Sequence, residues 1–538
     1  MRRLAGLACL LAAAPAVAES EYFASFEIEF TGKLRTGAIA DLDADGRLDV
    51  GVLLSSRDDP SELRFVTCLQ DDAGFSGNCT SIRIPAEARV FDVGEIDGVP
   101  GAELVVLTDR GVRVASFVKG SFRAFTPLHE VRTLFAGTEP GKTARLRCLA
   151  DIDADARKEL ILPTIEGPRI LRYEGVELIL LQQIDSHAEV TFRLRNQSEE
   201  GLVGDPHAHS VRAEARFASP QTFVDDFDAD GRVDLLTLQG KHLRVFLQQP
   251  GGRFPAAPSF EWDRTILDAA EQEDAVASEG LAFADLNGDG ASDIIAMKWA
   301  SPSERTRIDW YLYYSRGGLT YPEEPDQKVR SESVDRRLTV TDLNGDGRSD
   351  LVVPFIHFAV TQVVKVAMQN AIKIQFRVFL MGEDGRYSQD AGKSFARVDR
   401  RIGLNYDIDI MGFVFGDKTL PDDDFSPLIS FDADANGDGY PDLVADTGSD
   451  RLAFYWGNEQ ARYSGSPDHV IDHESALSYD LVDLNGDGKT DVVTYHGPRD
   501  RTPARRFEKR RYSPKRKKRR PEAAIAPRGP VVKILLSR

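Results

Sequence analysis

Residues 338–354 read LTVTDLNGDGRSDLVVP: a strand-like apolar run, a nine-residue acidic loop, and a second apolar run. Oxygen-bearing side chains fall at loop positions 1, 3, 5 and 9, as Asp342, Asn344, Asp346 and Asp350, while Gly347 at position 6 permits the positive φ of a tight turn. Hard oxygens gathered around one point suit calcium, which accepts about six to eight of them in flexible geometry, better than magnesium, which keeps its waters. The carbonyl of Arg348 is expected to complete the shell.

The loop recurs. Intact copies supply Asp41, Asp43, Asp45 and Asp49; Asp226, Asp228, Asp230 and Asp234; Asp285, Asn287, Asp289 and Asp293; Asp434, Asn436, Asp438 and Asp442; and Asp483, Asn485, Asp487 and Asp491. A seventh copy keeps Asp151, Asp153, Asp155 and Glu159 but replaces the turn glycine by Ala156, so strained calcium binding is expected there. An eighth, EIDGVPGAE from Glu95, has Val99 where the third carboxylate belongs, and no metal is expected. Asp, Asn and Gly also populate ordinary surface turns, yet six intact copies in one register weigh against that reading. An EF-hand is excluded, because its loop needs a Glu at position 12 between helices, and here position 12 is Ala296, Val353 or Thr494 between strand-like runs. The expectation is about six to seven structural Ca2+ sites.

First positions at 41, 95, 151, 226, 285, 342, 434 and 483 define a unit of about 50 residues with insertions. Each unit offers a strand into the loop, a strand out (DLLTLQ, DLVVPF, DVVTYH), a third strand (HLRVFLQQ, RIDWYLYY, FRVFLMG, LAFYWG), a glycine-bearing turn and a fourth strand. Four antiparallel strands per repeat make a propeller blade. After the last loop the chain supplies DVVTYH and VVKILLSR and stops one strand short, while YFASFEIEF near the start can fill the gap and remove an open edge. The predicted fold is all-β, an eight-bladed β-propeller closed by an N-terminal strand; seven blades follow if the unit at Glu95 is absorbed elsewhere.

These repeats resemble the FG-GAP or VCBS-type blades of integrin α-chain propellers and of many exported bacterial proteins. The DxDxDGxxD and DxNxDGxxD loops carry the resemblance over nearly the whole mature chain; Phe-Gly and Gly-Ala-Pro elements are not evident. It implies a calcium-binding interaction domain outside the cytoplasm.

The 538-residue chain carries a formal charge of −19. Met1 to Ala18 reads as a signal peptide, with Arg2 and Arg3, the run LAGLACLLAAA and an Ala16-Val17-Ala18 cleavage site. Residues 19–538 then form the propeller, and no later run reaches the roughly 20 apolar residues of a membrane span. Export to the periplasm, cell surface or medium is expected. In an oxidising compartment Cys68 and Cys79, flanking a short loop, are expected to pair, while Cys148 reads as a buried apolar residue.

If the acidic loops join the first and second strands of each blade, the large insertions emerge on the opposite face. They are residues 185–221 with His187, His207 and His209; 357–371, with Val360, Val363, Val364, Ala367 and Ala371 at helical spacing; 394–428 with Asp422, Asp423 and Asp424; and 499–530. Between Arg499 and Arg520 stand 13 basic residues against Asp500 and Glu508, a net of +11, so the remainder sums to −30. Such blocks are often disordered interaction tails. Export argues against nucleic acid and favours an anionic glycan, a lipid headgroup or a protein. No GxSxG, HExxH or phosphate-cradling loop occurs. The expected function is therefore a monomeric, non-catalytic binding module, with a polysaccharide lyase or other glycan-active enzyme as the alternative.

Overall fold

The stretch at 338–354 folds as its pattern dictates: Thr339–Thr341 enters the loop and Asp350–Phe355 leaves it antiparallel, with Thr341 opposite Asp350. Ala371–Phe379 and Val398–Gly403 add in chain order to give a four-stranded sheet. The computed structural model describes residues 22–135, 143–194, 213–273, 277–300, 307–331, 337–355, 371–387, 398–403, 429–446, 451–472, 476–497 and 529–538.

Seven further sheets repeat this order. The first blade is Lys33–Ala40, Asp49–Ser55, Leu63–Cys68 and Cys79–Arg83. The unit at Glu95 forms a blade of its own from Ala88–Gly94, Glu103–Thr108, Gly111–Val118 and Thr126–Glu130, which fixes the number at eight. Closure is as expected: Phe23–Glu29 pairs antiparallel with Val531–Ser537, from Phe23 opposite Ser537 to Glu29 opposite Val531. The terminal strand thereby becomes the outer edge of the last blade.

Second strands are covered on both faces, which is why they read as unbroken apolar runs; Asp49–Ser55 and Asp491–His496 are buried at every residue. Core clusters straddle neighbouring blades. Leu343, Val352 and Val378 pack on Phe431, Leu443 and Ala453, and Val50 and Val52 pack on Val493, Val532 and Ile534 across the closing seam.

The insertions differ in part from the sequence reading. Within the insertion at 185–221, Glu189–Leu194 and Ala213–Ala218 form a two-stranded hairpin of their own. Within 394–428, Val398–Gly403 is the outer strand of the sixth blade; VDRRIG lacks the apolar run that marks inner strands. The signal segment, residues 357–370 of the helix expected at 357–371, His207, His209, Asp422 to Asp424 and the basic block lie outside the described residues, and Ala371, the last residue of that expected helix, instead begins the third strand of the sixth blade. Among the described residues the one helical element is Ala269–Glu273, and no helix is long and apolar enough to cross a membrane. Cys68 stands opposite Cys79 in the strand register, with Cα atoms 4.2 Å apart, and the two form a disulfide; Cys148 is buried.

Candidate metal sites in the Asp-Gly loops

All eight loops join the first strand of a blade to the second, and antiparallel order puts them on one face. At Asp342 the position-1 carboxylate is the hub: Oδ1 accepts the N–H of Gly345 at 2.8 Å and Oδ2 that of Gly347 at 2.7 Å, while Asp346 Oδ1 accepts from Arg348 at 3.0 Å. The turn therefore needs left-handed backbone at position 4 as well as position 6, with φ of 72° at Gly345 and 81° at Gly347. Three loops carry alanine at position 4 (Ala44, Ala154 and Ala229, φ near 60°), and Ala156 takes φ 70° at position 6. Sequence reasoning saw the second requirement and missed the first.

Position 9 is not at the loop surface. Asp49, Asp234, Asp293, Asp350, Asp442 and Asp491 are all fully buried. One oxygen of each accepts the N–H of loop position 2, as in Leu343 to Asp350 at 3.1 Å and Leu484 to Asp491 at 2.8 Å. The other accepts an N–H from the end of the third strand or just after it, from Gln70, Gln248, Ser315, Met381, Gly457 and Ser537 respectively. Each carboxylate thus fastens its loop to its own blade. Burial, opposed by these hydrogen bonds, lifts the carboxyls to about 7 at Asp49, Asp293, Asp350 and Asp442 and about 6 at Asp234 and Asp491.

Position 8 fastens blade to blade. Its N–H donates to a loop carbonyl of the preceding blade from Leu48 to Leu484, Ala102 to Asp41, Lys158 to Glu95, Ser292 to Phe227, Ser349 to Leu286 and Thr490 to Asp434, at 2.7–3.1 Å. At the fourth blade Gln248 Nε2 bridges instead, donating to Ile152 at 2.7 Å and Val233 at 3.0 Å. Gln70 offers the same bridge from the first blade: with its amide nitrogen turned to the carbonyls, it lies 3.0 Å from the oxygens of Leu48 and Leu484. Pro441, at position 8 of the seventh loop, has no N–H to give.

The remaining oxygens converge. Candidate ligand atoms of Asp41, Asp43 and Asp45 lie within 4.8 Å of one another, as do those of Asp226, Asp228 and Asp230, of Asp151, Asp153 and Glu159, and of Glu95, Asp97 and Glu103. In the four Asn-bearing loops, Asn287, Asn344, Asn436 and Asn485 each donate an amide N–H to the position-5 aspartate. Burial and the neighbouring aspartates raise the Asp43 and Asp228 carboxyls. Asp228 Oδ1, Asp153 Oδ1 and Glu95 Oε2 are buried without a hydrogen-bond partner. Arg47, Arg157, Arg232 and Arg348, at position 7, ion-pair with the position-5 aspartate of their own loops.

The second loop is better built than its sequence suggests: Glu103 is buried, accepts from Ile96 at 3.0 Å, and is pushed up to about 8 by burial, as a ninth-position residue is elsewhere. Val99 there is exposed. His187 is exposed beside Asp185, with Nε2 3.0 Å from Oδ1.

An FG-GAP-like repeat family matches residues 226–296, 285–353 and 434–494. Among solved structures, an Agrocybe aegerita lectin that recognises non-reducing terminal N-acetylglucosamine is similar at 16% identity and TM-score 0.40, covering 82% of this chain and 90% of the lectin. The Vibrio cholerae biofilm matrix protein Bap1 is similar at 11% identity and TM-score 0.34, covering 90% of this chain and 87% of that one. No curated protein matches the chain. The repeat matches fall on the loops and strands just described between residues 226 and 353 and between 434 and 494, and the chain is an eight-bladed β-propeller that carries FG-GAP-like repeats over those residues.

Proposed function

We propose that the protein is an exported, calcium-stabilised propeller that binds an anionic partner through the face opposite its Asp-Gly loops, without catalysis. Calcium, once bound, supplies the positive charge that the converging oxygens lack. Positions 1, 3 and 5 would hold it, with Asp41, Asp43 and Asp45 or Asp226, Asp228 and Asp230 as the most acidic sets. Position 9 supports the site from beneath.

The observation that carries the reading is the division of labour between the two faces. On the loop face, carboxylates and main-chain groups are engaged within and between blades. The opposite face receives the connections from second to third strand and from blade to blade, including the hairpin at Glu189–Leu194 and the turn of helix at Ala269–Glu273.

A concentration of cations sits at that face on the fifth blade. Asp309, fully buried and near the start of the third strand, binds Arg307 at 3.1 Å, Lys328 at 3.0 Å and Arg330 at 2.7 Å. Burial would raise the Asp309 carboxyl, but hydrogen bonds from Arg330 and Lys328 overcome it and hold the group low. Among the described residues, Asp309 faces three cations there. Lys328 also caps the Tyr311 ring, 4.6 Å from its centroid, so charge and an aromatic face are presented together.

Retention of the mature protein on immobilised sulfated glycan and on anionic phospholipid vesicles, with calcium present, tests the reading. Deletion of residues 501–520 should weaken retention without lowering the melting temperature by more than a few degrees, and Lys328→Gln combined with Arg330→Gln should weaken it too, with a lower melting temperature because the buried Asp309 loses two of its partners. Undiminished retention in both variants would remove this face as the binding surface.

A further inference from the structure

The third loop departs from its siblings in one respect. In the six intact loops the second oxygen of the ninth-position carboxylate accepts a main-chain N–H from the end of the third strand or just beyond it. In the third loop that oxygen, Glu159 Oε1, accepts instead from the Nε of Arg172 at 2.8 Å. Nη2 of the same guanidinium donates to Asp153 Oδ2, at loop position 3. Arg172 lies in the third strand, Arg169–Glu174, next to Leu171, which pairs with Leu160, so the strand register delivers a full positive charge to the place where positions 3 and 9 meet.

We infer that the third loop takes no calcium because Arg172 is its resident cation; this rests on the reading that the intact loops do take the ion. The arginine fork satisfies two carboxylates at once and cannot lose its proton. A divalent cation entering the same cluster would have to displace both ion pairs and face a fixed like charge at contact range. Arg157 holds Asp155, Ile152 donates to Glu159 Oε2 at 2.9 Å, and Asp151 accepts the N–H groups of Asp155 and Ala156. The loop is thus closed by the chain itself. This also fits the alanine at position 6: Ala156 is held at φ 70° by a contact that does not depend on metal supply.

The substitution Arg172→Met should convert the loop into a calcium site, since it frees Asp153 Oδ2 and Glu159 Oε1 while leaving Asp153 Oδ1 without a hydrogen bond as before. Calcium per chain, measured by atomic emission after equilibrium dialysis, should rise by one over the unsubstituted protein. In the unsubstituted background Asp153→Asn should leave the count unchanged. An equal count in folded Arg172→Met, or the loss of one ion in Asp153→Asn, overturns the inference while leaving calcium binding elsewhere intact. Should the unsubstituted protein bind no calcium, the wider reading fails; a single ion gained by Arg172→Met would then still support the role of the arginine, and none would overturn it. If Arg172→Met does not fold, the Asp153→Asn count decides alone.

Discussion

The main-chain N–H of Leu48 donates to the carbonyl oxygen of Leu484 at 2.8 Å, across the seam where the first blade meets the last. Gln70 reaches the same two residues' carbonyls, and Phe23–Glu29 completes the last sheet on its outer side. Both ends of the chain are therefore needed to close the ring, and closure should be cooperative with folding.

Phe23 is 1% exposed and packs on Phe454 with ring centroids 4.8 Å apart. Phe23→Ala should cost about 3–5 kcal/mol, as large-to-small core changes do. Urea unfolding should show a lower midpoint, and full-length and variant proteins should be compared for aggregation, since a loosened terminal strand exposes a pairing edge. A midpoint within error of the original would mean that the terminal strand does not close the ring in solution.

Asp350 accepts from Leu343 at 3.1 Å and from Met381 at 2.9 Å. Asp350→Ala should leave two buried donors unsatisfied, at about 1–3 kcal/mol each. Asp350→Asn keeps one acceptor oxygen and should cost less. If the two substitutions cost the same, the double hydrogen bond is not what makes position 9 acidic.

Calcium and pH should act together. Burial raises the ninth-position carboxyls to about 6–7 in the ion-free fold, above the unfolded value of about 4. Between those limits the folded state binds more protons than the unfolded chain. The stability this confers is complete below about pH 4 and is lost as pH rises through 6–7. The EGTA-treated protein should therefore melt lower at pH 8 than at pH 5.5. Bound calcium favours ionised carboxylates, so it should release protons on binding, and its stabilisation should grow with pH. At millimolar calcium and a Kd of roughly 0.1 mM each site adds about 1.4 kcal/mol. A melting temperature indifferent to EGTA at pH 8 would remove the structural role of calcium.

Ala156 stands at φ 70°, where a Cβ costs about 1–2 kcal/mol. Ala156→Gly relieves that strain but adds about 0.5–1 kcal/mol of unfolded-state entropy. The net expectation is stabilisation of up to about 1.5 kcal/mol, read as a rise in the urea midpoint with unchanged slope. Destabilisation would show that the alanine side chain makes a packing contribution.

Much of the propeller was legible because its cues are local. Six copies of one nonapeptide fixed the repeat, strand-like runs on either side fixed the blade, and a missing final strand pointed to YFASFEIEF. Positions 1, 3, 5 and 6 were readable from residue type. Position 8 was not, because its contribution is a main-chain N–H that every residue but proline possesses. Position 9 was read as one more loop ligand, although its burial beneath the loop and its bond to the third strand come from pairing partners far along the chain.

The sequence by itself determined the repeat and the composition of the acidic loops, since each is written in residue type and spacing within a few tens of residues, and it named the strand that closes the ring; that the unit at Glu95 is an eighth blade took the structure. The tertiary structure alone decided which loops are latched to their neighbours, which carboxylate faces inward, and that Arg172 enters the third loop while Arg307, Lys328 and Arg330 surround Asp309. Those outcomes depend on strand register. A shift of one residue would turn each of these side chains to the other face of its blade, and register is set by the packing of whole sheets.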